Sequence, residues 1–182
     1  APRGKTDSLV SRFTLLRYAV TGTYVGLATV GAFVHFYTRR GVPLALLRQW
    51  TMCSHWEVFE GGKGLLGYGN ACAAFDPSQG KLGASACALT TLVVMEMLRA
   101  CCAVSETQSL VTKPPWANRW LLLGVTLPML LHLSVLYTPR LAAIFQLAPL
   151  SQQDWLSVAS LSLPLVLLEE LLKLLARCLH VS

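Results

Sequence analysis

The sequence predicts an all-α, polytopic membrane protein whose four transmembrane helices form a bundle. Composition is the first observation behind this fold class. Of the 182 residues, 54% are apolar and 13% are charged, whereas soluble domains have about 45–50% and about 25%. The second observation is four apolar stretches of the roughly 17–25 residues that cross a bilayer. So few charges could not cover a soluble domain, and this composition also excludes a disordered or collagen-like chain.

Basic or aromatic residues flank the predicted spans, as the interfaces of a bilayer favour. Arg17 precedes the first span and Arg40 follows it, while Trp120 and Tyr137 bound the third. The segment 141–150 is also apolar but too short to cross, so we expect it at the interface or against the bundle. The four spans are placed at residues 18–37, 82–104, 120–137 and 155–175.

Residue spacing predicts two packing features within the spans. Gly22 and Gly26 form a GxxxG pair in the first span, and small residues at this spacing let helices approach closely. Glu169 and Lys173 lie four residues apart near the end of the fourth span. At that separation they can form an ion pair.

The basic residues outside the spans predict the orientation of the chain. Eight lie on the side of the two termini, counting Lys173 in the last turns of the fourth span, and six on the other. Five of those six fall in one long loop, which counts less in the positive-inside rule, so cytoplasmic termini are favoured. These flanks explain the net charge of +6 without a nucleic-acid partner. The topology has a cytoplasmic basic segment (1–17), a long non-cytoplasmic loop (38–81), a cytoplasmic loop (105–119), a second non-cytoplasmic loop (138–154) and a cytoplasmic tail (176–182).

Glu96 is the most informative residue, because it is a carboxylate inside the second predicted span. Such a residue costs about 2.5–3.5 kcal/mol to insert, so it needs a compensating partner. One interpretation is a cation ligand, since hard cations prefer carboxylate oxygens. The other is an internal ion pair with Arg99, three residues later on the same helix face. The spacing leaves both interpretations open.

Cys53 and Cys72 are the only two cysteines in the long loop. In an oxidising compartment they could form a disulfide, which would stabilise the fold by roughly 3 kcal/mol. The alternative is two free thiols. The remaining cysteines, Cys87, Cys101, Cys102 and Cys178, lie in or beside spans and are interpreted as packing residues.

Residues 62–67, with the sequence GKGLLG, fit the dinucleotide-binding pattern G-x-G-x-x-G. That pattern indicates a nucleotide site when it follows a strand and opens a helix within a βαβ unit. Here it lies in a loop between two spans. A nucleotide-binding enzyme is therefore a distant hypothesis, and a glycine-rich loop explains the pattern without one.

Several short patches along nearly the whole chain also match a known family. The most specific are Arg17-Tyr18 with Tyr24-Val25-Gly26, Glu96-Met97 with Gln108-Ser109-Leu110, Pro114-Pro115-Trp116, and Ser162-Leu163-Pro164 with Glu170. Through these patches the chain resembles the C-terminal part, spans seven to ten, of the sarco/endoplasmic-reticulum calcium-transporting P-type ATPases.

The resemblance implies roles for three residues. Glu96 falls on a glutamate that contributes to a calcium site of the family, and Cys53 and Cys72 fall on two cysteines of a lumenal loop. The long loop at 38–81 would then be lumenal, and Cys53 and Cys72 disulfide-bonded. The implied location is the endoplasmic or sarcoplasmic reticulum membrane. The implied partners are membrane lipid, transported calcium, and the remaining spans and cytoplasmic domains of a parent pump.

The family's phosphorylation motif, D-K-T-G-T, does not occur in the 182 residues. ATP and magnesium would accordingly bind only to other domains of the parent, and this chain is expected to be a fragment that is inactive alone. The alternative is a free-standing four-span structural or channel-forming membrane protein.

Overall fold

The computed structural model describes residues 12–55, 71–103, 116 and 118–178, and all regular elements in these residues are helical. The predicted all-α class is therefore confirmed. Each predicted span lies largely within one long helix, although the first and last helices extend several residues beyond their spans. The elements are α1 (Arg12–Thr38), α2 (Leu44–Arg48), two 3₁₀ segments (Trp50–His55 and Ala71–Phe75), α3 (Lys81–Cys102), α4 (Arg119–Tyr137), α5 (Pro139–Phe145) and α6 (Gln152–Cys178).

The four long helices alternate in direction. The ring of Phe36, near the end of α1, lies beside Gly83 at the start of α3. The indole of Trp155, early in α6, donates a 2.9 Å hydrogen bond to the hydroxyl of Tyr137 at the end of α4. One end of the bundle, called here the loop end, is therefore marked by Thr38, Lys81, Tyr137 and Gln152. The other end, called the termini end, is marked by Arg12, Cys102, Arg119 and Cys178.

Three of the described helices are long and apolar enough to cross a membrane: residues Phe13–Thr38 of α1, α3, and α4. The surface of α4 suits lipid, because leucines 122, 123, 127, 130 and 131 are all exposed on it. In water such a row would be an unusually large apolar patch. The fourth predicted span, 155–175, lies within α6, whose apolar sequence is interrupted by Glu169, Glu170 and Lys173.

The core lies between α1, α3 and α6. Val25, Met95 and Leu165, one from each helix, form a buried cluster. Beside it, the hydroxyl of Tyr24 donates a 2.8 Å hydrogen bond to the carbonyl of Leu161. This contact lies one turn before Pro164, where proline's missing N–H interrupts the helical hydrogen bonding. Tyr24 thus ties α1 to α6 one turn before Pro164.

At the loop end, connecting segments fold against the helices. The fully buried Tyr37 donates a 2.9 Å hydrogen bond to the carbonyl of Ala74, which fixes the second 3₁₀ segment beside α1. Leu147 and Leu150 are buried in a second core cluster, which also contains Tyr37 and Ala74. The short apolar segment 141–150 therefore packs partly against the bundle, which is one of the two positions predicted for it.

Two predicted packing features are wrong within this chain. A Cβ added at Gly22 or Gly26 would meet no atom of the described residues within 4 Å, so their stripe faces away from the other described helices. Lys173 pairs with Glu170 at 3.1 Å rather than with Glu169. The physical reason is that the Glu169 side chain points into the interface between α1 and α6, where it pairs with the guanidinium of Arg17.

Candidate functional site

Glu96 lies in the second half of α3 and forms an ion pair on the surface. The Nη1 atom of Arg99 is 3.0 Å from Oε1 of Glu96 and 3.4 Å from Oε2. The Glu96 side chain is 46% exposed. The predicted pair with Arg99 is therefore present, and it leaves much of the carboxylate open to another ligand.

No other helix of the described chain covers the face of α3 that carries Glu96. Met95 and Thr91 are buried in contact with the bundle. Leu89, Glu96 and Ala103 recur at near-helical spacing on a different face, and all three are exposed. The carboxylate therefore points away from the α1–α6 core, on the outside of this group of helices.

Glu96 alone does not form a cation site. Ca²⁺ takes roughly six to eight oxygen ligands. Among residues 12–55, 71–103, 116 and 118–178, no group of three or more histidine, cysteine, aspartate or glutamate residues could hold a metal ion. A cluster of further carboxylate ligands would have to come from outside the described residues.

Cys53 and Cys72 form a disulfide in the structure, with their Cα atoms 5.1 Å apart. The bond joins the two 3₁₀ segments of the long loop at the loop end. Of the other cysteines, Cys87 and Cys102 are buried and Cys101 is half-buried, consistent with packing, whereas Cys178 is exposed.

Neither of the two described histidines within the predicted spans, His35 and His132, lies beside Glu96. The glycine motif at residues 62–67 lies outside the described residues. His132 is buried, and its Nε2 atom is 2.9 Å from Oγ1 of Thr90, so it joins α4 to α3 by packing and a hydrogen bond. His35 is exposed near the end of α1.

The sequence analysis missed a buried ion pair between the first and last helices. Arg17 contacts Glu169 through two hydrogen bonds to Oε2, 2.6 Å from Nη2 and 3.0 Å from Nε. The side chains are 16% and 5% exposed. These residues are 152 positions apart in sequence, so no local spacing rule could have joined them.

A second missed cluster lies at the loop end, around the buried Asp154. Arg39 and Arg40 contact its carboxylate at 2.9 and 3.3 Å, and the guanidinium of Arg40 also lies 3.5 Å from the centroid of the Phe36 ring. Ser151 and Asp154 exchange hydrogen bonds in a capping box that begins α6. The S-x-x-D spacing could have predicted that helix start, but not the two arginines.

Hydrogen bonds and charge hold Asp154 in its ionised form. Burial raises the pKa of its carboxyl group, but hydrogen bonds from Ser151 and Arg40, together with the positive charge of Arg40, outweigh this and lower the pKa below the ordinary value of 3.8. A lowered pKa in the folded state stabilises the fold above the unfolded-state pKa. This stabilisation starts to decrease when the pH falls below about 3.8, and it is lost once the pH is below the lowered pKa of the folded state.

The described fold defines this chain as an all-helical protein with three helices long and apolar enough to cross a membrane, and comparisons with known proteins identify its family. A family model described as "Cation transporting ATPase, C-terminus" matches residues 1–175. The chain therefore belongs to this family, and the predicted resemblance is confirmed.

Three curated relatives are similar over 97% of this chain. Calcium-transporting ATPase 4, endoplasmic reticulum-type, from Arabidopsis thaliana is 41% identical. Calcium-transporting ATPase 2, endoplasmic reticulum-type, from the same plant is 37% identical. A calcium-transporting ATPase from Plasmodium falciparum (isolate K1 / Thailand) is 40% identical. The chain spans 18%, 19% and 15% of the lengths of these relatives, respectively.

Proposed function

We propose that this chain is the C-terminal membrane part of an ATP-driven pump that moves calcium from the cytosol into the lumen of the endoplasmic reticulum. The observation that carries the proposal is the family match over residues 1–175, together with relatives that are named calcium-transporting ATPases. In this function the chain contributes a membrane scaffold and one calcium-ligating carboxylate. ATP and magnesium bind in regions of the pump that this chain does not cover.

The proposal includes four spans with cytoplasmic termini. The 27 residues of α6 give a helix of about 40 Å at 1.5 Å per residue, longer than the roughly 30 Å hydrocarbon core. The three charged residues inside the predicted span are paired, Glu169 with Arg17 and Lys173 with Glu170, which lowers the cost of placing them near a membrane. Four alternating helices then leave both termini on the cytoplasmic side.

The ligand role of Glu96 follows from its position on an uncovered face. An exposed carboxylate on a membrane-length helix is costly in contact with lipid, and such residues usually face a partner or a polar cavity. Arg99 supplies one partner but leaves the carboxylate 46% exposed. Further spans of the parent pump, packed on this face, would both shield Glu96 from lipid and supply the missing oxygens.

Replacing Glu96 with alanine in the complete protein should weaken calcium affinity by roughly tenfold or more, since a charged ligand contact contributes about 1.5–3 kcal/mol. Glu96→Gln keeps one oxygen ligand and should weaken it less. The measurement is calcium-dependent phosphorylation of the protein by ATP over a calcium titration. Asp76→Asn, which changes a carboxylate at the loop end near the start of α3, is the matched control and should leave the titration unchanged.

The same series separates the ligand from the internal pair. If Glu96 serves only to neutralise Arg99, both Glu96 variants should lower stability rather than affinity, and adding Arg99→Asn should restore stability. Unchanged calcium affinity in a well-folded Glu96→Ala protein would contradict the ligand role. Absence of any calcium-dependent phosphorylation in the wild-type protein would contradict the pump itself.

A further inference from the structure

A cavity of about 380 Å³ lies at the loop end, on the outside of α1. This volume falls in the range of roughly 300–1,000 Å³ that small-molecule pockets occupy. Its walls are mostly apolar and come from three parts of the chain. They include Phe33 and Val34 of α1, Leu44 and Leu47 of α2, Trp50, and Phe75 of the second 3₁₀ segment.

Two cations line the same cavity. Arg48 ends α2 and Lys81 begins α3, and both are exposed. Within the described part of the chain, neither side chain forms an ion pair. The other described arginines at this end of α1, Arg39 and Arg40, are paired with Asp154. The cavity therefore combines an apolar interior with positive charge that this part of the structure leaves uncompensated.

In the proposed four-span topology, where the first span ends at residue 37, the cavity lies near the boundary between lipid headgroups and acyl chains. Phe33 and Val34 lie four to five residues before the end of α1 at Thr38, or about 6–8 Å along the helix axis. Leu44 and Trp50 on the rim are each 54% exposed. Exposed tryptophan and leucine beside basic residues are typical of segments lying in the membrane interface.

From this combination we infer that the cavity binds an anionic phospholipid. The acyl chain lies against Phe33, Val34 and Leu47, and the headgroup phosphate contacts Arg48 and Lys81. An amphiphile is favoured over a free anion because most of the cavity wall is apolar. It is favoured over a protein segment because the cavity opens beside a membrane-length helix at headgroup depth. This assignment does not depend on calcium transport.

The test uses the complete protein, purified in mild detergent and exchanged into nanodiscs containing phosphatidylcholine and phosphatidylserine. Native mass spectrometry then measures which lipid stays bound when the protein is released from the disc. Phosphatidylserine should be retained preferentially. Because each cation near a membrane surface contributes to binding anionic lipid, the double variant R48Q/K81Q should reduce this preference by roughly tenfold to thirtyfold.

The matched control is Arg140→Gln. Arg140 is an exposed cation in α5 at the same end of the bundle, and it does not line the cavity. It should leave the preference unchanged. Both cavity cations are exposed, so their replacement should not disturb folding, and thermal unfolding of each variant checks this.

Three results would overturn the assignment. Equal retention of the two lipids would show that the cavity does not select negative charge. An equal loss in Arg140→Gln would show that total charge, rather than the cavity, holds the lipid. Displacement of the retained lipid by millimolar inorganic phosphate would show that the site binds free anions. Lipid retention is measured without ATP or calcium, so failure here is distinct from failure of the proposed pump function.

Discussion

Replacing Glu169 with alanine is expected to lower the free energy of unfolding by about 3–5 kcal/mol, the cost of breaking a buried ion pair from one side. Arg17 would keep its charge in a site where it is only 16% exposed, and it would lose the carboxylate with which it pairs. A guanidinium cannot lose its proton to escape this cost. The measurement is denaturant unfolding of the complete protein in mixed micelles.

Two companion variants make the Glu169 prediction specific. Arg17→Ala breaks the same pair from the other side, so it should also lower the free energy of unfolding. The double variant R17M/E169M removes both charges while keeping apolar volume, and it should recover most of the loss. If Glu169→Ala unfolds within about 1 kcal/mol of the wild type, the pair behaves like an exposed one, and the buried contact is not important for stability.

Gly80→Ala is expected to have the second largest effect. It should lower the free energy of unfolding by about 1–3 kcal/mol or more, because the added methyl group overpacks a close contact. A Cβ at this buried position would overlap the carbonyl oxygen, Cα and carbonyl carbon of Ala74. Those are backbone atoms, so no side-chain rotation can relieve the overlap. The backbone angles of Gly80 are ordinary, φ −73° and ψ −26°, so the cost is steric and not torsional.

Gly124→Ala is the matched control for Gly80→Ala. Gly124 lies in α4, and an added Cβ would meet nothing within 4 Å. Alanine is favoured over glycine inside a helix by roughly 1 kcal/mol, so this variant should be neutral or slightly stabilising. The measurement is the thermal unfolding midpoint of each variant in detergent. Equal midpoints for the two variants would contradict the close contact between Gly80 and Ala74.

The sequence was enough to predict features that depend on local spacing. Apolar runs located the four long helices, and the separation of three residues predicted the pair between Glu96 and Arg99, because both are properties of one helix. The same reasoning failed for Glu169. A local rule assigned it to Lys173, whereas the tertiary contact between α1 and α6 brings it to Arg17.

The sequence could identify Glu96 as a candidate ligand, but it could not identify the other groups that would complete a site. The cost of a carboxylate in a membrane singles out Glu96 from the sequence alone. Whether oxygens surround it depends on which helices cover that face of α3, and the described helices leave it exposed. The cavity beside Arg48 and Lys81 could not be predicted either, because it forms where α1, α2 and the second 3₁₀ segment meet.

The disulfide between Cys53 and Cys72 also determines how the protein behaves after it is cut. The two cysteines are 19 positions apart, so any single peptide bond cleaved between them leaves two fragments that remain covalently joined. On a gel the cut protein would run as one band without thiol reductant and as two bands with it. In sealed vesicles, that reductant-dependent pattern would appear only when the protease is on the same side of the membrane as the loop.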